Sequence, residues 1–279
     1  MIDPHVLKFL KTLKILFIDI ETAPNFYASF RPGKQHITIE QLHPDFLEPQ
    51  IICAAWKWLG RPTVYTETWE TKWQKDHRGH HKVIHDSTRI VQQLDKMVEQ
   101  ADIIIGQNAK SFDFKWLNTV RMLKDLPPLP NWLTITQRDT LEMMKKHLYL
   151  PSNKLDYISR LLGLGGKLPT RWEHWISITL DREDAQERMK EMLTYNKKDV
   201  KDNEAQFLKI LPYCEMTVNA NLWTGFEGCR QCGSTNVARN GIRHMGEASY
   251  QQLQCRDCHG YAGRVRILKD GKTSTRVMK

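Results

Sequence analysis

Two cysteine pairs carry the strongest chemical signal in this 279-residue chain. Cys229-x-x-Cys232 and Cys255-x-x-Cys258 are separated by 22 residues. Six cysteines scattered over this length give only about 0.13 such pairs by chance. Four thiolates at that spacing suit a single tetrahedral Zn²⁺. The other common use of a C-x-x-C pair is thioredoxin-like redox chemistry. It lacks a βαβ setting here and would account for one pair only. His244 and His259 are alternative ligands that four cysteines make unnecessary.

A second group is made of oxygen. Asp19-x-Glu21 closes the apolar run from Leu13 to Ile20, and the two-residue period of a strand places both carboxylates on one face. Roughly 3.6 such acidic pairs are expected by chance, so the spacing alone says little. The context says more, because an apolar strand does not end in two carboxylates unless a cation neutralises them. Asp113 follows the apolar Ile103–Ile105 and the short loop Gly106-Gln107-Asn108-Ala109-Lys110-Ser111-Phe112. Tyr195 and Asp199 lie four apart, on one face of a helix. Taken singly, each is an ordinary surface acid or helix-face pair. As a set without histidine, the four carboxylates suit Mg²⁺ or Mn²⁺ better than zinc.

The elements that must position these residues follow from periodicity. Leu13–Ile20, Ile51–Leu59, Thr63–Thr68, Ile103–Ile105 and Thr134–Ile135 read as strands. Ser87–Gln100 has helical spacing at Ile90, Val91, Leu94, Met97 and Val98, with Ser87 as its expected N-cap. Helices are also expected over Phe112–Leu126, stopped by Pro127-Pro128, and over Thr140–His147, Lys154–Leu162 and Arg182–Ile210. Strands followed by mixed strands and helices predict an α/β sheet with helices packed over it. Beyond 227, glycines and short strands such as Ser249–Leu253 and Arg264–Leu268 predict a small β module. The expected division is a domain over 1–214, a linker over 215–226 and the cysteine module over 227–279.

Charge singles out the same module. The formal net charge is +9, and Cys229–Lys279 holds ten Lys/Arg against three acids, or +7. Such a concentration suits a polyanionic partner, nucleic acid first, although a solvated basic tail shows the same charge, and thiolates on zinc lower it. A composition 41% hydrophobic and 9% aromatic excludes a disordered chain. The longest apolar run, Ile51–Trp56, is far below the ~20 residues of a membrane span. With no signal-peptide pattern at the start, the expectation is a cytoplasmic protein with reduced cysteines and no membrane partner.

In order and spacing, Asp19-x-Glu21, Asn108-x-x-x-Phe112-Asp113 and Tyr195-x-x-x-Asp199-Val200 resemble the three motifs of the DEDD superfamily of 3′→5′ exonucleases. The tyrosine form of the third motif resembles the DEDDy branch found in polymerase proofreading domains. Asp139-Thr140-Leu141 and Ser152-Asn153-Lys154-Leu155-Asp156-Tyr157, leading to Leu162-Gly163, add to the likeness, which covers about Leu13–Leu211. The resemblance implies a ribonuclease H-like fold, a mixed five-stranded sheet flanked by helices; the cysteine module separately resembles a β-rich zinc ribbon, and the combination suits phage-encoded nucleases of replication or repair. The DEDDy resemblance implies two catalytic Mg²⁺ or Mn²⁺ ions bridged by Asp19, with Glu21 and Asp199 completing the site of the ion that carries the attacking water, Asp113 holding the second ion, and a Tyr195 hydroxyl that orients the attacking water. A structural Zn²⁺ on Cys229, Cys232, Cys255 and Cys258 completes the cofactors.

The expected activity is hydrolysis of nucleic acid, single-stranded DNA ahead of RNA, to nucleoside 5′-monophosphates. Asn108, Lys167 and the ribbon cations Arg230, Arg239, Arg243, Arg256, Arg264 and Arg266 are the expected substrate contacts, and the ribbon is a candidate dock for a replication or repair protein. A structure-selective endonuclease and a noncatalytic nucleic-acid-binding adaptor are the alternatives on such a fold. Gly163-Leu164-Gly165-Gly166-Lys167 is too short for a Walker loop. His77, His80, His81 and His85 read as solvated loop histidines rather than a metal cluster. Trp172 and Trp175 suit base stacking or core packing equally, and Cys53 reads as a small buried residue.

Overall fold

The computed structural model describes residues 2–30, 33, 36–43, 48–75, 79, 81–130, 135–166, 168, 170–214, 220, 228–268 and 270–278. It divides into two compact units, Lys14–Gln206 and a second formed by Met1–Leu13 with Phe207–Lys279.

The first unit is built on a mixed five-stranded sheet of order β3-β2-β1-β6-β7. The strands are β1 Ile15–Thr22, β2 Ile51–Trp58, β3 Tyr65–Thr68, β6 Ile103–Gly106 and β7 Thr136–Asp139. β1 runs antiparallel to β2 and parallel to β6, and β7 is parallel to β6. Ile15, Leu16, Phe17 and Ile18 are all buried, as a central strand covered on both faces requires. Between β3 and α2 (Thr88–Val98), a separate hairpin forms from β4 Glu70–Lys75 and β5 His81–Asp86. Helices α3 (Asp113–Leu123), α4 (Thr140–His147), α5 (Leu155–Leu161), α6 (Trp172–Thr179) and α7 (Ala185–Ile210) follow. The core runs from Leu16 and Ile18 on β1 through Ile90 and Leu94 on α2 to Met192 on α7.

Several expectations shift. β7 begins at Thr136 rather than 134, and residues 131–134 lie outside the described residues. Ser87 precedes α2 but does not cap it. Its hydroxyl donates to Gln50 Oε1 (2.7 Å) and accepts from the Ile51 amide (2.9 Å), so it ties the helix to the start of β2. Asp86 Oδ1 takes the capping task by accepting from the Thr88 amide at 3.0 Å. His85 is buried rather than solvated, while His77 and His80 lie outside the described residues.

In the second unit, α1 (Pro4–Leu10) is capped by Asp3, which accepts from the His5 amide at 2.9 Å. A four-stranded antiparallel sheet has the order β11-β10-β9-β8, from β8 Val237–Met245, β9 Ala248–Cys255, β10 Tyr261–Ile267 and β11 Thr273–Met278. The expected linker falls almost wholly outside the described residues. No helix among the described residues is long and apolar enough to cross a membrane.

Candidate active site

The carboxylates meet because of where the β1–β6 ladder stops. Its last pair is Phe17 with Ile105, after which β1 runs on to Thr22 while β6 ends at Gly106, still paired with Asp139 on β7. The Ile20 amide, just past that point, donates to Asp113 Oδ1 at 3.0 Å. A bond between residues 93 apart therefore places the acid at the head of α3 beside the Asp19-x-Glu21 end of β1. The turn out of β6 is tight: a Cβ on Gly106 would lie 2.4 Å from the Ala109 Cβ, so only glycine fits.

Asp139 holds the rest of this loop. Its Oδ1 accepts from the amides of Asn108 and Leu141 at 2.9 Å each, and Oδ2 accepts from the Lys110 amide at 3.1 Å. Asn108 takes the left-handed conformation (φ 62°) that asparagine tolerates better than most residues. One buried carboxylate thus caps α4 and fixes the loop between β6 and α3.

The third contribution comes from α7, docked by polar contacts in its C-terminal half. Thr140 Oγ1 donates to Asn203 Oδ1 (2.8 Å), Ser159 Oγ to Asp202 Oδ2 (2.8 Å), and Gln206 Nε2 to the Leu155 carbonyl (3.0 Å). So fixed, the helix brings Asp199 to β1: one oxygen from each of Asp19, Glu21 and Asp199 lies within 4.8 Å of the others. Asp113 and Tyr195 line the same cleft, of about 700 Å³, as does Asn108. Tyr195 is almost fully buried and packs edge-on against Trp175, their centroids 6.4 Å apart. Trp175 is accordingly part of the core packing, whereas Trp172 is exposed.

Burial pushes Asp113 up to about 7; the amides of Ile20 and of Asp113 itself pull it down, and the nearby Asp139 charge pushes it up again. The Cys53 thiol, fully buried opposite Glu21 on β2, is raised by burial and then by the charges of Glu21 and Asp19. Negative charge is therefore concentrated in a poorly solvated place, which is the condition under which carboxylates hold a cation. The donor set is all oxygen and converges on one point, so it fits a hard divalent ion.

The sequence motifs gave part of this cleft no site role. Gln107, Lys145, Asn153 and Lys154 line it, and Gln107 Nε2 ties the 151–154 loop to β6 by donating to the Asn153 carbonyl at 2.9 Å. Lys167, an expected contact, lies outside the described residues.

The cysteine centre lies in the other unit. Cys229 and Cys258 Sγ are 3.6 Å apart, Cys232 and Cys255 Sγ 3.7 Å, and all four lie within 4.8 Å of one another. A tetrahedron with Zn–S bonds of ~2.3 Å has edges of about 3.8 Å, so the four sulfurs fit zinc. The amides of Gln231 and Asp257 point at Cys229 and Cys255 Sγ, each at 3.4 Å. Burial raises Cys232 well above the usual thiol range and pushes Cys258 up to about 12. Cys255 is lowered: burial opposes its charge, but the amides of Cys258 and Asp257 and neighbouring thiols outweigh it.

The ribbon cations separate by face. Cross-strand register places Arg243 and Arg266 opposite Tyr250, and Arg264 lies over that ring, 4.9 Å from its centroid. These three share one face, Arg239 pairs with Leu253 on the other, and Arg256 and Arg230 belong to the cysteine turns.

No protein-family model matches the chain. No curated protein matches it either. Among solved structures it is similar to the family B DNA polymerase of the hyperthermophilic archaeon Pyrobaculum calidifontis, at 15% identity and a TM-score of 0.47. That match covers 86% of this chain and 32% of the polymerase, so the chain spans about a third of that protein's length.

Proposed function

We propose that this protein is a metal-dependent 3′→5′ exonuclease that hydrolyses nucleic acid, single-stranded DNA ahead of RNA, to nucleoside 5′-monophosphates. The observation that carries the reading is the convergence of Asp19, Glu21 and Asp199 within 4.8 Å, on a cleft that Asp113 and Tyr195 also line. The motif order resembling DEDDy exonucleases supports it. Divalent cations in such a site, Mg²⁺ or Mn²⁺, supply charge neutralisation at the phosphate and acidify water for attack at neutral pH.

The chain's own residues do the rest. Asp19, Glu21 and Asp199 are the ligands at one side of the cleft, and Asp113 is the ligand at the head of α3. Tyr195 orients the attacking water through its hydroxyl; a phenol is a poor free base, so the water is acidified by the cation instead. Asn108, fixed by Asp139, contacts the strand. We assign residues 1–214 to the nuclease domain, 215–226 to a linker and 227–279 to a zinc ribbon. In the ribbon, Cys229, Cys232, Cys255 and Cys258 hold one Zn²⁺, and Arg230, Arg239, Arg243, Arg256, Arg264 and Arg266 grip phosphates.

A 5′-labelled single strand, offered as DNA and as RNA with Mg²⁺, tests the reading. The expected result is a ladder shortening from the 3′ end, absent in Asp19→Ala. Internal cuts would instead make the protein an endonuclease, and a bound but intact strand an adaptor.

A further inference from the structure

Asn196 lies on α7 beside Tyr195 and is fully buried. Its Nδ2 donates to Asp19 Oδ2 at 2.6 Å, across 177 residues of sequence. Its Oδ1 is buried as well and has no hydrogen-bond partner among the described residues. The amide cannot be turned over, since that would set two acceptors against each other.

The two halves of this amide argue in opposite directions about stability. A buried carbonyl oxygen without a donor costs free energy, and an apolar side chain in its place would not. Nor is Asn196 needed to dock the helix, because Asn203, Asp202 and Gln206 already bind it to α4 and α5. What Asn196 adds is a short, charge-assisted bond to one oxygen of one carboxylate. That carboxylate stands on β1 two residues before Glu21, at its pairing with Ala55.

We infer that Asn196 is a positioning residue: it fixes the rotation of the Asp19 carboxylate so that, with Glu21 and Asp199, it presents a preformed seat for a divalent cation. Partners of this kind, which touch a ligand rather than the ion, typically control metal affinity by ten- to a hundredfold. The inference rests on the exonuclease reading only for its effect on hydrolysis; its effect on ion affinity rests on the geometry.

The test uses the full-length protein and Asn196→Leu, which copies the branch at Cγ without the amide. Four quantities are compared with wild type: the melting temperature without added Mn²⁺, the Mn²⁺ dissociation constant from titration followed by electron paramagnetic resonance, and kcat and KM on a 5′-labelled strand. Asp19→Ala marks the signal with the seat destroyed. The expected result is a melting temperature lowered by no more than about 4 °C, a Mn²⁺ constant raised about 10- to 100-fold, and kcat at limiting Mn²⁺ reduced in step. KM for the strand is expected to stay within about twofold. Should the leucine fail to fold, Asn196→Ala carries the same Mn²⁺ expectation. A folded variant whose Mn²⁺ constant stays within about twofold of wild type overturns the inference, as does an affinity loss that only tracks the unfolded fraction. A wild-type protein that binds Mn²⁺ but leaves every strand intact refutes the exonuclease reading and leaves the Asn196 result to be read on its own.

Discussion

The acidic cleft and the cysteine centre both converge on a point suited to a metal ion, yet they are built in opposite ways. Around the cleft, a five-stranded sheet and six helices bury an extended core, and the carboxylates occupy its rim. Around the cysteines, the buried cluster is Cys229, Cys255 and Ala262, so two of the three residues belong to the cysteine centre itself. On the proposed reading, the cleft has a fold that stands without ions and needs them for chemistry, whereas the cysteine module, with little apolar surface of its own, needs zinc to fold. The same class of cofactor would then be dispensable to structure in one unit and essential to it in the other.

The largest expected effect tests the cleft side of that contrast. Asp19→Ala should lower hydrolysis by at least about a thousandfold, while thermal unfolding and the far-ultraviolet spectrum stay near those of wild type. Near-wild-type rates in the folded variant would remove the metal-site assignment altogether. The matching change in the ribbon should behave in the reverse manner. Cys255→Ser should lose the one tightly held zinc, measurable by elemental analysis, and unfold the β8–β11 sheet, visible as loss of amide dispersion in that region. Hydrolysis at saturating strand should persist. Purified wild-type protein without zinc, its four cysteines joined as disulfides, would overturn this half of the comparison.

Two smaller effects sharpen it. Tyr195→Phe removes a hydroxyl and no carboxylate, so it should slow single-turnover cleavage by roughly ten- to a thousandfold with Mn²⁺ affinity unchanged. An unchanged rate would show the hydroxyl to be idle. On the ribbon, Arg243, Arg264 and Arg266 share the Tyr250 face. Replacing all three by glutamine should weaken strand binding and flatten its dependence on salt by up to about two in logarithmic slope, near 0.7 per lost phosphate contact. Equal slopes would mean that this face does not grip the backbone.

How much of this could be read beforehand depends on the range over which each residue is determined. β1, β2, β6, α4 and α7 were legible because local apolar periodicity sets them. The α4 bounds agree with the expectation at both ends, where Asp139 caps the first turn and three basic residues close the last. α1 escaped notice although Asp3-Pro4 is a start signal, because it is only seven residues long. The β4–β5 hairpin escaped because β4 is exposed at five of its six positions and shows no alternation. In the cleft, motif order pointed to the acids and the tyrosine. Asp139 stood in the likeness as part of Asp139-Thr140-Leu141 but without a role, and Asn196 gave no such signal, since what distinguishes it is burial and a partner 177 residues away.

The smallest effect concerns stability within the first unit and separates its core from its chemistry. His85 stacks on Trp69 with ring centroids 3.7 Å apart. Its Nε2–H donates to the Thr179 carbonyl at 2.8 Å, which leaves Nδ1, 3.0 Å from Thr71 Oγ1, to accept the hydroxyl proton. The neutral ring is thus satisfied at both nitrogens, and burial lowers its pKa despite the Thr179 carbonyl and the Asp181 charge, which favour protonation. In the unfolded chain the imidazole titrates near 6.5. Above that pH neither state binds the proton and the contribution is fully present. As pH falls below it, the unfolded chain takes up a proton that the folded chain resists, so stability declines until the lower folded value is passed. His85→Gln should lose the stack, worth about 1 kcal/mol, or about 2–4 °C in melting temperature at pH 8. Because the glutamine does not titrate, that deficit should narrow between pH 7 and pH 5. A constant difference across the range would mean that His85 is as easily protonated folded as unfolded. Cleavage by the variant, measured at 25 °C and pH 8, should remain at the wild-type rate, since the ring packs between the hairpin and α6 and does not line the cleft.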